Sequence, residues 1–248
     1  MLMLHIALPQ PPKGMKPSIC HYLAKIKLWL MLVIYGGASG AALAADYATI
    51  LMYHRFGEDQ YPSTNIRIEQ FEAHLDMLAS GGYHIWPLSK IVDHLQQGLD
   101  MPDKTIAITI DDAYLSVFTE ARPRLKARNF PYTVFVATQP VDRNQRGYMS
   151  WDQIRILQDE GVQIGSQTTS HPHMHQISIT DAEDELTSSN ERFLTEIGQR
   201  PRLFAYPFGE YNLDVIEVVK QAGLTRLSAK ILALLMAIMG FLNCRALR

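Results

Sequence analysis

Two clusters in this chain have residue types and spacing that could do chemistry. The first is Thr105-Ile-Ala-Ile-Thr-Ile-Asp-Asp-Ala-Tyr114, a β-branched run that ends in two adjacent carboxylates, Asp111 and Asp112. Neighbouring carboxylates resist being ionised together unless a cation lies beside them, so a bound metal is the natural resolution. The second is Gly165-Ser-Gln-Thr-Thr-Ser-His-Pro-His-Met-His175, which carries three histidines and also follows a strand-like run, residues 162–165. An Asp-Asp pair taken alone reads more readily as a helix N-cap. Two strand ends that both carry metal-capable groups point instead to one shared site.

The elements that must position these groups follow from pattern. Thr105–Ile110 is almost wholly apolar and β-branched, as a strand buried on both faces requires, which leaves Asp111 and Asp112 where strand gives way to loop. In α/β folds that C-terminal edge is where chemistry is placed, and leaving the pleat there lets neighbouring side chains turn toward one mouth. Further strands are expected at 48–53, ending at His54, and at 84–86, 131–137, 162–166 and 203–206. Helices are expected at 69–78, 88–95, 115–128 with a kink at Pro123, 151–160, 181–197 capped by Thr180, and 213–221, with Pro207-Phe-Gly209 as a turn. Strands alternating with helices imply a parallel sheet with right-handed crossovers. Because polar strand ends recur around the chain and do not gather at one switch point, the α/β fold expected is an incomplete or distorted (β/α) barrel, not a doubly wound sheet.

The 248 residues, 47% hydrophobic and 19% charged, suit one sizeable domain, and a net charge of -2 lacks the basic footprint of a nucleic-acid binder. Residues 1–45 read as a targeting region. Lys25 and Lys27 precede the apolar run 28–35 and then Ala42-Leu-Ala44, the order of a cleavable signal, which predicts a mature chain from Ala45 or Asp46 and a periplasmic or secreted location. Met15 gives that signal a more conventional start than Met1. The body of the domain is then 46–226, and both cysteines, Cys20 and Cys244, fall outside it. The tail, 227–248, holds a uniformly apolar dozen, 231–242, too short to span a bilayer, and reads as a frameshifted or truncated end. Membrane contact is expected only through the signal or this tail.

In their order and spacing, Thr109-Ile-Asp-Asp-Ala113, Ser166-Gln-Thr-Thr-Ser-His171 and Phe204-Ala-Tyr-Pro-Phe-Gly209 resemble the motifs of the polysaccharide deacetylases of carbohydrate esterase family 4, the NodB-homology domain. Met52-Tyr-His-Arg55 and the segment 66–71 resemble the branch acting on N-acetylglucosamine polymers, and the likeness covers about residues 48–226. The resemblance implies removal of acetyl groups from an N-acetylated polysaccharide, the partner expected here, with a divalent metal, zinc first and cobalt or nickel as alternatives. It implies Asp111 as general base, Asp112 and His171 as metal ligands, and the backbone N–H of Phe208 as oxyanion donor. The first histidine of the family's H-[ST]-x-x-H pattern is Gln167 here, a neutral and poorer metal donor, and His175 could restore a pair with His171 at four-residue spacing. The arginine of the third motif is Ala205, and no later leucine-x-histidine follows Gly223 to supply a general acid. His54 could reach the same mouth, although a lone histidine after a strand is more often a core residue. The alternatives are an impaired relative that only binds glycan, and a metal-free glycosidase, which adjacent carboxylates fit poorly.

Overall fold

The computed structural model describes Ala44–Ala45 and residues 47–226. The expected leader up to residue 43, the apolar tail and both cysteines lie outside the described residues. Eleven described strands follow in chain order: β1 (Ala44–Ala45), β2 (Thr49–Tyr53), β3 (Arg55–Phe56), β4 (Asn65–Ile66), β5 (His84–Ile85), β6 (Met101–Pro102), β7 (Thr105–Ile110), β8 (Thr133–Val136), β9 (Gln163–Ser166), β10 (Leu203–Phe204) and β11 (Thr225–Arg226). The α-helices are α1 (Ile68–Ser80), α2 (Leu88–Gln97), α3 (Arg122–Ala127), α4 (Thr138–Asp142), α5 (Trp151–Asp159), α6 (Ile179–Ile197) and α7 (Leu213–Gln221). Among the described residues, no helix is long and apolar enough to cross a membrane.

The main sheet is parallel and runs β2-β7-β8-β9-β10-β11, with β5 paired to the start of β7. Its order never doubles back, so it has no switch point, and the sheet curls into an incomplete barrel as expected. Alternation along the strands decides what faces inward. In β7, Ile106, Ile108 and Ile110 pack outward with Phe71, Leu75, Leu125, Ile154 and Phe193 from the helix layer, while Ala107 joins Ile50, Phe135 and Leu203 on the inner face, closed below by Leu88, Ile91 and Val92 of α2. Thr109 and Asp111 continue the inward series, as do Met52 and His54 after Ile50, Ala137 after Phe135, and Gln167 two residues beyond Gly165.

Phe135 and Gly165 are directly opposed partners on β8 and β9. A Cβ on Gly165 would lie 2.4 Å from the Phe135 ring and 3.2 Å from the Leu203 carbonyl. Gly165→Ala should therefore destabilise the fold by about 1–3 kcal/mol through overpacking, read as a lower denaturation midpoint at unchanged slope.

Three local expectations differ in detail. The helix expected over 115–128 is a π-helical turn, Val117–Ala121, followed by α3, because Pro123 has no N–H for a continuous ladder and the wider turn absorbs it. The cap of α6 is Ser178, not Thr180: the Ser178 hydroxyl accepts the Asp181 N–H at 3.1 Å and donates to the Asp181 carboxylate at 2.7 Å. Thr180 lies inside the first turn. The strands expected over 131–137 and 203–206 are both shorter, Thr133–Val136 and Leu203–Phe204, and α4 starts directly after Ala137.

Candidate active site

At the C-terminal edge of the sheet the inward-facing residues open into a cavity of about 690 Å³, lined by His54, Thr109, Asp111, Asp112, Gln167 and His171, with Phe208 among its rim residues. Asp111 is still in register: its N–H donates to the Tyr53 carbonyl at 2.8 Å, which fixes its side chain inward. Asp112 and Ala113 then adopt left-handed backbone, φ +72° and +53°. That reversal, tolerable for Asp, turns the second carboxylate toward the same mouth.

Gln167, only 2% exposed, bridges the two carboxylate residues. Its Nε2 donates to Asp111 Oδ2 and its Oε1 accepts from the Asp112 N–H, each at 3.3 Å. The Asp112 backbone N–H can meet only an acceptor, so Gln167 Oε1 must face it and Nε2 is left to face Asp111. Asp112 Oδ1 lies 3.4 Å from His171 Nε2. His171, at φ +61°, and Phe208, at φ +58°, face each other edge-on, their ring centroids 4.6 Å apart.

Electrostatics follow from depth. Burial first, and the Asp112 charge second, push the Asp111 carboxyl up to about 8, opposed by the Gln167 hydrogen bond. Burial lowers the pKa of His171, and Asp112 pulls against it. His54 is lowered likewise by burial, with Asp112 opposing and His171 and Arg55 adding to the fall.

Two donors about 2.0–2.2 Å from one tetrahedral ion sit roughly 3.4 Å apart, so the observed Asp112–His171 separation suits two ligands of one divalent cation. Among the described residues no group of three His, Cys, Asp or Glu side chains is arranged to hold a metal. Gln167 Oε1 is a further donor lining the same cavity, with one lone pair left after the Asp112 N–H. His175 does not complete the set: its Nδ1 is 3.3 Å from Glu210 Oε2, which His173 Nδ1 also meets at 2.6 Å. His173 stacks on Phe208 at 4.0 Å, outside the Asp112–His171 pair. Ala205 lines the cavity without a polar side chain. His54 is drawn into the site; the signal that could have placed it there is its two-residue spacing from Ile50 and Met52.

A family model for polysaccharide deacetylases matches residues 98–227, just over half of the chain and all three motif clusters. The chain belongs to the polysaccharide deacetylase family. Among family members it is 23% identical over 195 residues to the poly-beta-1,6-N-acetyl-D-glucosamine N-deacetylase of Staphylococcus aureus (strain MRSA252), covering 73% of this chain and 66% of that protein. Two solved structures share the deacetylase fold. IcaB from Ammonifex degensii superposes with a TM-score of 0.65 at 26% identity, covering 73% of this chain and 82% of that one. The Streptococcus pyogenes deacetylase PplD, in complex with acetate, gives 0.66 at 20% identity over 71% and 80% of the two chains. The chain spans 61% and 66% of the length of the first curated relatives it matches.

Proposed function

We propose that this chain is a metal-assisted hydrolase that removes acetyl groups from an N-acetylated glucosamine polymer, with the β-1,6-linked polymer named for its staphylococcal relative as the first candidate. The supporting observation is the convergence of a buried, elevated carboxyl, Asp111, with the paired Asp112 and His171 at one end of a cavity large enough for a sugar ring. Asp112 and His171 would hold the cation, with Gln167 Oε1 beside them. When bound, a divalent ion supplies Lewis acidity and a positive charge next to Asp111.

The protein's own groups account for the proton movements. Asp111 takes a proton from the attacking water as its oxygen adds to the acetyl carbonyl carbon. The charge that develops on the carbonyl oxygen is met by the backbone N–H of Phe208, held in its left-handed turn between Pro207 and Gly209. The C–N bond then breaks, the proton on Asp111 passes to the amine nitrogen, and acetate leaves. No separate acid is required for this balance.

The test is acetate release by the full chain from N-acetylglucosamine oligomers, before and after chelation and after return of zinc, cobalt or nickel. Acetate equal to the free amine formed, lost on chelation and restored by metal, is the expected result. A second reading, a relative that binds glycan without hydrolysing it, is favoured by one observation: both polar atoms of Gln167 are already engaged by Asp111 and Asp112. Retention of the oligomers with no acetate at any metal concentration would establish that reading and end the first.

A further inference from the structure

The loop that presents Gln167 and His171 is strained, and something outside the loop must hold it. Thr168 is β-branched yet sits at φ +71°, and His171 at φ +61°. Left-handed backbone is unfavourable for such residues and persists only where surrounding contacts over-determine it. Part of the hold is local, Thr168 N–H donating to Ser166 Oγ and His171 N–H to Thr168 Oγ1, and part comes from the neighbouring strand and its following helix: Gln167 N–H donates to the Val136 carbonyl, and the Thr138 and Gln139 N–H groups donate to the carbonyls of Thr168 and Thr169. The N–H groups and hydroxyls in the middle of the loop are held by α6. Glu185 Oε2 accepts both the Thr169 N–H at 2.9 Å and the Ser170 N–H at 2.8 Å, its Oε1 accepts the Ser170 hydroxyl at 2.6 Å, and its own carbonyl accepts the Thr169 hydroxyl at 2.9 Å.

Glu185 is well placed for this. It stands on α6 one turn before Ser189, whose hydroxyl pairs with that of Ser166 at 3.0 Å. Residues four apart share a helix face, so one face of α6 grips the end of β9 through Ser189 and the following loop through Glu185. The adjoining buried stripe, Ala182, Leu186, Phe193 and Ile197, fixes the helix itself against the core. The carboxylate is thus tied to a rigid element while two successive backbone N–H groups point into it.

We infer that Glu185 is a positioning residue of the site: its carboxylate sets the backbone of Thr169 and Ser170, and through them the placement of the His171 imidazole against Asp112. Its kinetic consequence rests on the deacetylase reading, while its structural consequence does not. A displacement of about 1 Å at a reacting group can cost about 10²-fold in rate, which sets the scale of the effect.

The test uses the full chain with Glu185→Ala, Glu185→Asp and Glu185→Gln, and with Glu183→Ala on the exposed side of the same helix as control. Ala removes the acceptor, Asp keeps the charge but shortens the reach by one methylene, and Gln retains an oxygen that can accept both N–H groups. For Ala and Asp the expected result is a roughly 10–100-fold fall in kcat with KM changed less than about threefold, and for Gln recovery to within about threefold of the parent. Without substrate, Ala and Asp should lose at least about tenfold of the amide-exchange protection at Thr169 and Ser170. The His171 ring resonance should move with them and return in Gln, with that of His84 as an unmoved reference. Native exchange and an unmoved His171 resonance in Glu185→Asp, or equal behaviour of Glu183→Ala and the Glu185 variants, would overturn the assignment. If the parent releases no acetate, the deacetylase reading fails separately, and exchange and resonance still decide the role of Glu185.

Discussion

Asp111→Asn is expected to abolish acetate release, by about 10²–10⁴-fold, and at the same time to make the metal-free protein more stable. Both effects come from one buried carboxyl. Burial and the neighbouring Asp112 charge raise its pKa from 3.8 to about 8. The folded state therefore holds a proton that the unfolded chain has already released between about pH 4 and 8, and stability falls as pH rises through that window. Four pKa units correspond to about 5 kcal/mol by pH 8. Asn mimics the neutral acid and its side-chain oxygen can still accept from Gln167. In the presence of chelator, the thermal midpoints of parent and variant should coincide near pH 4 and separate by on the order of 10 °C near pH 8. A gap that does not widen with rising pH would show that Asp111 is already ionised in the native protein.

Gln167→His is expected to raise affinity for zinc or cobalt by at least about 10²-fold. Asp112 and His171 already lie at the separation of two ligands on one ion, 3.4 Å, and an imidazole at position 167 supplies a third donor of the type zinc prefers. The substitution also removes the bridge from Gln167 Nε2 to Asp111, which leaves that carboxyl, the proposed base, without its partner. Metal affinity and catalysis should then part company: binding titrated with cobalt by its absorption should tighten steeply, while kcat rises less than binding does. Unchanged affinity would mean that the Gln167 amide oxygen already ligates as well as an imidazole.

Much of this was legible in the sequence for identifiable reasons. The all-apolar run of β7 marked a buried strand, and the carboxylates after it marked its functional end. The glycines after three helices, at Ser80-Gly-Gly82, Gly98 and Gly161, mark where those helices stop, since glycine relieves a left-handed or tight turn there. What stayed hidden depended on partners distant in sequence. Gln167 reads as a substituted ligand until two strand ends 55 residues apart bring its amide between Asp111 and Asp112. Glu185 is one acid among several on α6 until the loop folds back onto it. The helix α4 escaped because Pro140 reads as a breaker, although proline within a first turn removes an N–H that has no helical partner there.

The inward alternation of the strands has a consequence for how this site can be lost. Asp111, His54 and Gln167 each reach the cavity by counting two residues at a time from an inner-face core residue, Ala107, Ile50 and Gly165. One codon inserted or deleted between Ala107 and Asp111 would leave the Asp-Asp motif intact to any reader of the sequence. Yet an insertion would put Ile110 in the inward position of Asp111, and a deletion would press Asp111 into the helix-layer position of Ile110 beside Phe71 and Leu125. In this architecture the parity of a strand is part of the candidate site, and a chain can retain every motif residue while losing the centre they build.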